Sequence, residues 1–344
     1  MLKARALQPG DQVASISLSW GGAGDIPHRY QAGKRQLEET FGLKVIETTH
    51  ALRPAEWIAQ NPQARAEDLM EALSNPAIKA IISNIGGEDS IRTLPYVDLD
   101  IIRANPKIFL GFSDSTISHF CFYKAGVTSF YGPSIMTGFA ENQGLHEYQI
   151  QDIRASLFSY QARGIIRPHQ KGWTSEYLDW KKPENQSIVR ELIPSTGWRF
   201  LQGSGKVRGQ LLGGCLEVMD FLKDTPFWVK PEEWKGKLMF LETSEVKLLP
   251  DFIRWKLRNY ATSGILHNIK GILLGRPYGN VYWQEYDQTF LQIIRDEQGL
   301  KDLPIVTGMD FGHTSPCFTL PYGVEAEIDC EQQTFAILEN ALIE

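Results

Sequence analysis

Four short apolar, β-prone runs punctuate the first 112 residues, at 13–18, 43–47, 80–85 and 107–112. Helical patterns fall between them at 29–41 and 65–73. In the first, Leu37 and Phe41 stand four apart and Gly42 follows as a C-cap; in the second, Leu69 and Leu73 share a face. Alternating strands and helices of this length form a parallel sheet covered by helices, because parallel neighbours need a crossover between them. Such sheets gather their functional loops at the C-terminal ends of the strands. Residues 19–24, 84–90 and 111–115 occupy that position here.

The last of these loops carries the sharpest chemical signal. The run Ile108-Phe109-Leu110 meets Gly111-Phe112-Ser113-Asp114 and then residues that can open a helix. This is the layout of a nucleophile elbow, a tight strand-to-helix turn that presents a serine hydroxyl at a helix N-terminus. The backbone N–H after the serine, that of Asp114, can donate to a developing oxyanion. Ser115 replaces the final glycine of G-x-S-x-G, so the usual α/β-hydrolase signature is absent. Ser and Asp are also common helix caps, and the stretch taken alone reads first as a capped helix.

A chain of 344 residues is long for one hydrophobic core, and two domains are expected. A net charge of −6 lacks the basic character of a binder of nucleic-acid polymers. No apolar run reaches the ~18 residues of a membrane span. The first residues show no uninterrupted apolar segment of signal-peptide type, which points to a cytoplasmic protein. Four scattered cysteines have no metal-site spacing and read as reduced thiols. Domain bounds are expected at 1–160 for an amino-terminal α/β domain and 206–344 for a carboxyl-terminal β/α domain. Between them, 161–205 reads as a long aromatic-rich loop and crossover holding Trp173, Tyr177, Trp180 and Trp198. Further strands are expected at 207–212, 237–241, 271–274, 304–307, 324–328 and 334–338, with helices at 216–222 and 250–262.

A nucleophilic serine needs a base, and a histidine base needs an orienting acid. Of seven histidines, His313 lies in Gly312-His313-Thr314-Ser315-Pro316, a turn-rich loop after a strand. His119 falls on the helix after the elbow and would have to point backwards. His28, His50, His146, His169 and His267 read as surface residues. Glu242 ends the apolar strand 238–241, where a carboxylate is costly unless paired or functional. Asp310 competes with it as the orienting acid. Gly86-Gly87, at the end of a buried strand, lets backbone amides approach a ligand and supply a second oxyanion donor. The same glycines also suit a phosphate-binding turn, although the Gly-Lys-Ser/Thr of a P-loop is missing.

These segments together resemble the LD-carboxypeptidase family of serine peptidases, and within it the microcin C immunity branch. The resemblance rests on IGGEDSIRTLPYVD (85–98), NPKIFLGFSDST (105–116), FYGPS (130–134), WTSEYLDW (173–180), GQLLGGCLEVM (209–219), LMFLETSE (238–245), GILLGRP (271–277) and GHTSPCFTLPYG (312–323). It implies a flavodoxin- or Rossmann-like amino-terminal domain, a swivelling carboxyl-terminal β/α domain, and an active site in the cleft between them. It implies Ser113 as nucleophile, His313 as base and Glu242 as orienting acid, with the amides of Gly87 and Asp114 as oxyanion hole. It further implies a homodimer that needs no metal or cofactor. The substrate would be a small peptide or an aminoacyl-nucleotide. The aromatic loop favours the latter, with Trp173 stacked on the nucleobase or else packing the loop onto the body, and Trp180, Gly86 and Lys247 also contacting substrate. Lys247 and Arg254 are the cations expected to receive its acidic groups. Cys215 departs from the family's Gly-Gly-Asn-Leu.

Overall fold

The computed structural model describes residues 1–344. Its strands in chain order are β1 (Gln12–Ile16), β2 (Lys44–Glu47), β3 (Ile78–Ser83), β4 (Ile108–Gly111), β5 (Phe130–Tyr131), β6 (Gly164–Ile166) and β7 (Arg199–Gln202). Then come β8 (Lys206–Cys215), β9 (Lys237–Glu242), β10 (Gly271–Gly275), β11 (Ile305–Met309), β12 (Leu320–Pro321), β13 (Glu325–Asp329) and β14 (Thr334–Ile337). The expected helices form at Pro27–Phe41, Pro62–Ser74, Leu216–Leu222 and Pro250–Thr262. The helix Pro27–Phe41 begins on a proline and ends where Gly42 turns left-handed at φ 69°, the asymmetry that separates helix starts from stops.

Two sheets result. The first has the order β12-β5-β4-β3-β1-β2, and β2-β1-β3-β4-β5 within it are parallel. That is a doubly wound order, with its topological switch beside β1 and β3, so the loops after β1, β3 and β4 open onto one crevice. The second sheet has the order β6-β14-β13-β8-β9-β10-β11-β7, with β8-β9-β10-β11 parallel. Glu242 ends β9 in its parallel centre.

Two features were not expected from the sequence. Strand β12 leaves the carboxyl-terminal half and pairs antiparallel with β5, Leu320 opposite Tyr131, closing the edge of the first sheet. The 161–205 segment supplies β6 and β7, which cap opposite edges of the second sheet. Its remainder is irregular apart from the short helical turn Pro183–Ser187. One apolar cluster of 58 buried residues spans both halves, joining Phe109, Phe120 and Tyr131 to Leu211, Phe240 and Tyr322. No helix is long and apolar enough to cross a membrane.

Candidate active site

β4 delivers Ser113 to the crevice through a turn of high local strain. Ser113 has φ 59°, a left-handed conformation that costs a residue bearing Cβ of order 1–3 kcal/mol. The cost is met by specific contacts. The Ser113 N–H donates to the Tyr131 hydroxyl at 2.9 Å, and the Thr116 hydroxyl donates to the Ser113 carbonyl at 2.7 Å. Gly86 lies directly against the serine: a Cβ there would meet Ser113 Cβ at 2.9 Å and Oγ at 3.0 Å. That approach lays the 85–87 turn alongside the hydroxyl. The Gly87 N–H has no partner within the protein, while the Gly86 carbonyl accepts from Trp20 N–H at 3.2 Å and fixes the turn.

Across the cleft, His313 Nδ1 donates to Glu242 Oε2 at 2.6 Å and Nε2 meets Ser113 Oγ at 3.1 Å. Glu242 is fully buried. Its other oxygen, Oε1, accepts from the Tyr131 hydroxyl at 2.5 Å. The contacts close into a ring: Ser113 Oγ, His313, Glu242, Tyr131 and back to the Ser113 backbone. The ring spans both sheets, so it forms only when the halves dock. Gly312 makes the approach possible. It is left-handed at φ 92°, and a Cβ there would meet Glu242 Oε2 at 2.6 Å.

The electrostatics follow from this packing. Burial alone would lower the His313 pKa. The charge of Glu242 and its hydrogen bond outweigh burial and, with Glu245 and Glu217 adding, raise it to about 9. Glu245 Oε2 lies 3.3 Å from Nε2, the nitrogen that also faces Ser113. Burial, and then the neighbouring Glu242 charge, push the Tyr131 phenol well above its ordinary value, so it remains a donor.

The cleft beside this ring has a volume of about 600 Å³. Gly86, Gly87, Ser113 and His313 line it, as do Trp20, Tyr177, Trp180, Arg29, Arg190 and Glu245. Several sequence expectations are corrected here. Trp173 does not reach the cleft: it is 3% exposed, hydrogen-bonds to the backbone of Ile193, and lies under the Arg276 guanidinium at 5.0 Å. Its ring face is therefore taken by packing, and Trp180 is the indole that borders the open space. Lys247 stays outside the lining, its ammonium 5.5 Å from the Tyr278 ring that does border the cleft. Arg254 pairs with Asp251 on the helix Pro250–Thr262.

Asp310 is not the orienting acid. It holds Arg276 at 2.7 Å and accepts from His169 N–H and Trp198 Nε1, pinning the 161–205 segment beneath the His313 loop. His169, expected at the surface, is 7% exposed. His119 is a satisfied core residue, bonded to Ser129 Oγ and the Gly111 carbonyl. Cys215 is fully buried beside Glu242 in the β8–β9 register and donates to Glu217 at 3.4 Å, away from the cleft. Sequence reasoning missed Tyr131, Glu245, Arg29 and Arg190. Only Tyr131 had a visible signal, a tyrosine ending a short strand before Gly132-Pro133.

An interdomain Ser–His–carboxylate arrangement with free backbone donors beside it is built for acyl transfer. Family models agree: residues 13–132 match the LD-carboxypeptidase N-terminal domain and residues 208–328 the LD-carboxypeptidase C-terminal domain. The chain belongs to the LD-carboxypeptidase family and is a serine carboxypeptidase-type hydrolase. Among its relatives, the microcin C7 self-immunity protein MccF of Escherichia coli is 27% identical, covering 99% of this chain and 97% of that one. A Bacillus subtilis protein named as a probable murein peptide carboxypeptidase is 26% identical over 99% of this chain and 96% of its own. In structure, an MccF-like protein from Streptococcus pneumoniae in complex with AMP superposes with TM-score 0.87 and 31% identity, covering 95% of this chain and 98% of that one. MccF in complex with aspartyl sulfamoyl adenosine gives TM-score 0.87 at 26% identity, covering the whole of both chains.

Proposed function

We propose that the chain hydrolyses an amide bond with Ser113, His313 and Glu242, and that its substrate is an aminoacyl- or peptidyl-nucleotide of the microcin C type. The observation that carries this reading is the contact of His313 with both Ser113 Oγ and Glu242 across the domain cleft. His313 Nε2 takes the proton as Ser113 Oγ attacks the carbonyl carbon, and Glu242 steadies the imidazolium through Nδ1–H. The N–H groups of Gly87 and Asp114 receive the oxyanion, each worth about 3 kcal/mol of transition-state stabilisation. His313 then protonates the leaving nitrogen, and a water activated by the same imidazole releases the acyl group from Ser113.

The cleft supports a nucleotide because an indole, a phenol ring and a buried guanidinium converge in it, at Trp180, Tyr177 and Arg29. Trp180 rather than Trp173 is the surface offered to a nucleobase. The ligands of the two structural relatives, AMP and aspartyl sulfamoyl adenosine, are of this class. A second reading, cleavage of the terminal D-alanine of a murein tetrapeptide, draws support from the murein peptide relative. A receptor that closes on a solute without chemistry would have no use for the hydrogen-bonded ring. Cytoplasmic action as a homodimer belongs to the same proposal.

The test compares wild type with Ser113→Ala on an L-Lys-D-Ala tetrapeptide and an aminoacyl sulfamoyl adenosine. Cleavage of the adenosine conjugate alone, lost by 10⁴-fold or more in the variant, is expected. Cleavage of the tetrapeptide alone moves the chain to murein recycling. Activity that survives Ser113→Ala sinks the mechanism, as does failure of a serine-directed phosphonate to label Ser113.

A further inference from the structure

Three arginines are at least nine-tenths buried: Arg29, Arg65 and Arg276, at 5%, 0% and 2% exposure. Two of them are neutralised, Arg65 by Asp89 at 2.9 Å and Arg276 by Asp310 at 2.7 Å. Arg29 has no carboxylate within 4 Å. Its protein partners are neutral: Nε donates to the Met136 carbonyl at 3.0 Å, and one terminal nitrogen donates to Asn142 Oδ1 at 2.6 Å and Gln186 Oε1 at 2.7 Å. The other terminal nitrogen makes no hydrogen bond, and the residue lines the cleft. A buried cation without a counter-ion is a strongly unfavourable arrangement in a folded chain.

Its surroundings are fixed rather than adaptable. Asn142 Nδ2 donates to the carbonyls of Asn185 and Ile188, which aims its oxygen at Arg29. Gln186 Nε2 donates to the Ala140 carbonyl with the same result. The guanidinium carbon sits 4.8 Å from the Trp180 ring, so the plane of the fork is held as well. The neighbouring carboxylate is already occupied: Glu141 takes Arg190 through both oxygens and also accepts from Ser315 Oγ at 3.0 Å. Thus of the two cleft arginines Arg190 has a carboxylate in contact, whereas Arg29 feels Glu141 only at longer range.

We infer that Arg29 is an anion anchor, whose counter-charge is an oxyanion group on the leaving-group portion of the substrate, a phosphoryl or a carboxylate. The inference rests on the reading of this cleft as the substrate site. It goes beyond that reading by assigning a charge requirement to the ligand and the residue that enforces it. It also replaces Lys247 and Arg254, which lie outside the cleft lining, in that role.

The test measures binding to Ser113→Ala protein by calorimetry, so it does not depend on hydrolysis. Two pairs of ligands are compared: adenosine monophosphate against adenosine, and a murein tetrapeptide with a free C-terminal carboxylate against its C-terminal amide. At least one acid should bind tenfold or more tightly than its neutral counterpart, and the added substitution Arg29→Gln should abolish that preference. The pair that responds identifies the anion as phosphoryl or carboxylate. The substitution removes a buried charge with no carboxylate in contact but leaves the Met136, Asn142 and Gln186 acceptors short of donors, so the ligand-free melting temperature should change little. Arg29→Lys, which keeps the charge and loses the fork, should retain part of the preference. Equal weakening of both members of a pair, with a lower ligand-free melting temperature, would make Arg29 a strut for the 180–188 segment and overturn the proposal. So would no preference for either acid in the parent protein. If Ser113→Ala fails to abolish hydrolysis while the charge preference holds, the catalytic reading falls and the anchor stands.

Discussion

His313 sits between Glu242 at Nδ1 and Glu245 at Nε2, and both carboxylates favour its protonated form. A base must be neutral to accept the serine proton. With a pKa raised to about 9, only roughly one molecule in a hundred is competent at pH 7. The expected kcat/KM of the free enzyme therefore climbs about tenfold per pH unit and levels near pH 9. Glu245→Gln removes one charge from Nε2 and should move that limb to lower pH; an unmoved limb would show that Glu245 does not reach the base in solution. The linkage to stability has a definite sign. The folded pKa of about 9 lies above the unfolded value of 6.5, so the stabilising contribution is full below pH 6.5 and disappears as pH rises through 9. Melting curves from pH 6 to 10 should fall more steeply for wild type than for His313→Gln. Tyr131 gives a second test. Tyr131→Phe keeps the ring that packs 5.5 Å from Phe240 but leaves the Ser113 N–H unpaired and Glu242 with one donor fewer. Its kcat should drop roughly 10- to 100-fold with little change in KM. The acid limb should shift upward, because a less solvated Glu242 holds the imidazolium more tightly. A pure stability loss with an unshifted profile would make Tyr131 only a packing residue.

The strands that carry the site were legible because each is a short buried run stopped by a turn. Ile108-Phe109-Leu110 before Gly111, and Leu238 through Leu241 before Glu242, declared both their structure and the residues at their ends. The aromatic segment was less readable, since its anchors are long-range. Nothing near Trp173 in the chain reveals that Arg276, about a hundred residues later, will cover its ring. Nor does the composition around Asp310 reveal that Arg276, His169 and Trp198 will claim its carboxylate. Arg29 was invisible for the same reason: its lack of a counter-ion is a property of the packed cleft. These two tryptophans should consequently behave as different kinds of residue. Trp173→Ala opens a cavity and should cost ~3–5 kcal/mol of stability. Trp180→Ala should barely change the melting temperature and raise KM for an adenosine conjugate roughly 5- to 150-fold, the value of one lost stacking contact of ~1–3 kcal/mol. If the two substitutions exchange these effects, the loop sits differently in solution.

At the scale of the molecule, the larger apolar cluster spans both sheets and β12 of the carboxyl-terminal half completes the first sheet, so the amino-terminal and carboxyl-terminal halves are not independent folding units. Removing the carboxyl-terminal half would strip β12 from β5 and leave the backbone of Phe130 and Tyr131 as an open edge. It would also expose the apolar face that Phe240 and Tyr322 cover, where Tyr322 packs 6.4 Å from Phe120 and 6.5 Å from Tyr131. The chain ends reinforce the docking, with Ala6 N–H bonded to the Ile343 carbonyl and Ile343 N–H to the Ala4 carbonyl. Calorimetric unfolding should therefore show a single transition whose van't Hoff and calorimetric enthalpies agree, although chains this long often unfold in steps. The fragment 1–160 should be insoluble or unfolded. Two resolved transitions, or a folded 1–160 fragment, would mean that the halves can swing apart. The Ser113–His313 contact would then be a closed-state feature set by ligand, and the pH limb would depend on substrate rather than belong to the free enzyme. A single transition instead makes the hydrogen-bonded ring a permanent part of the fold, assembled before any substrate arrives.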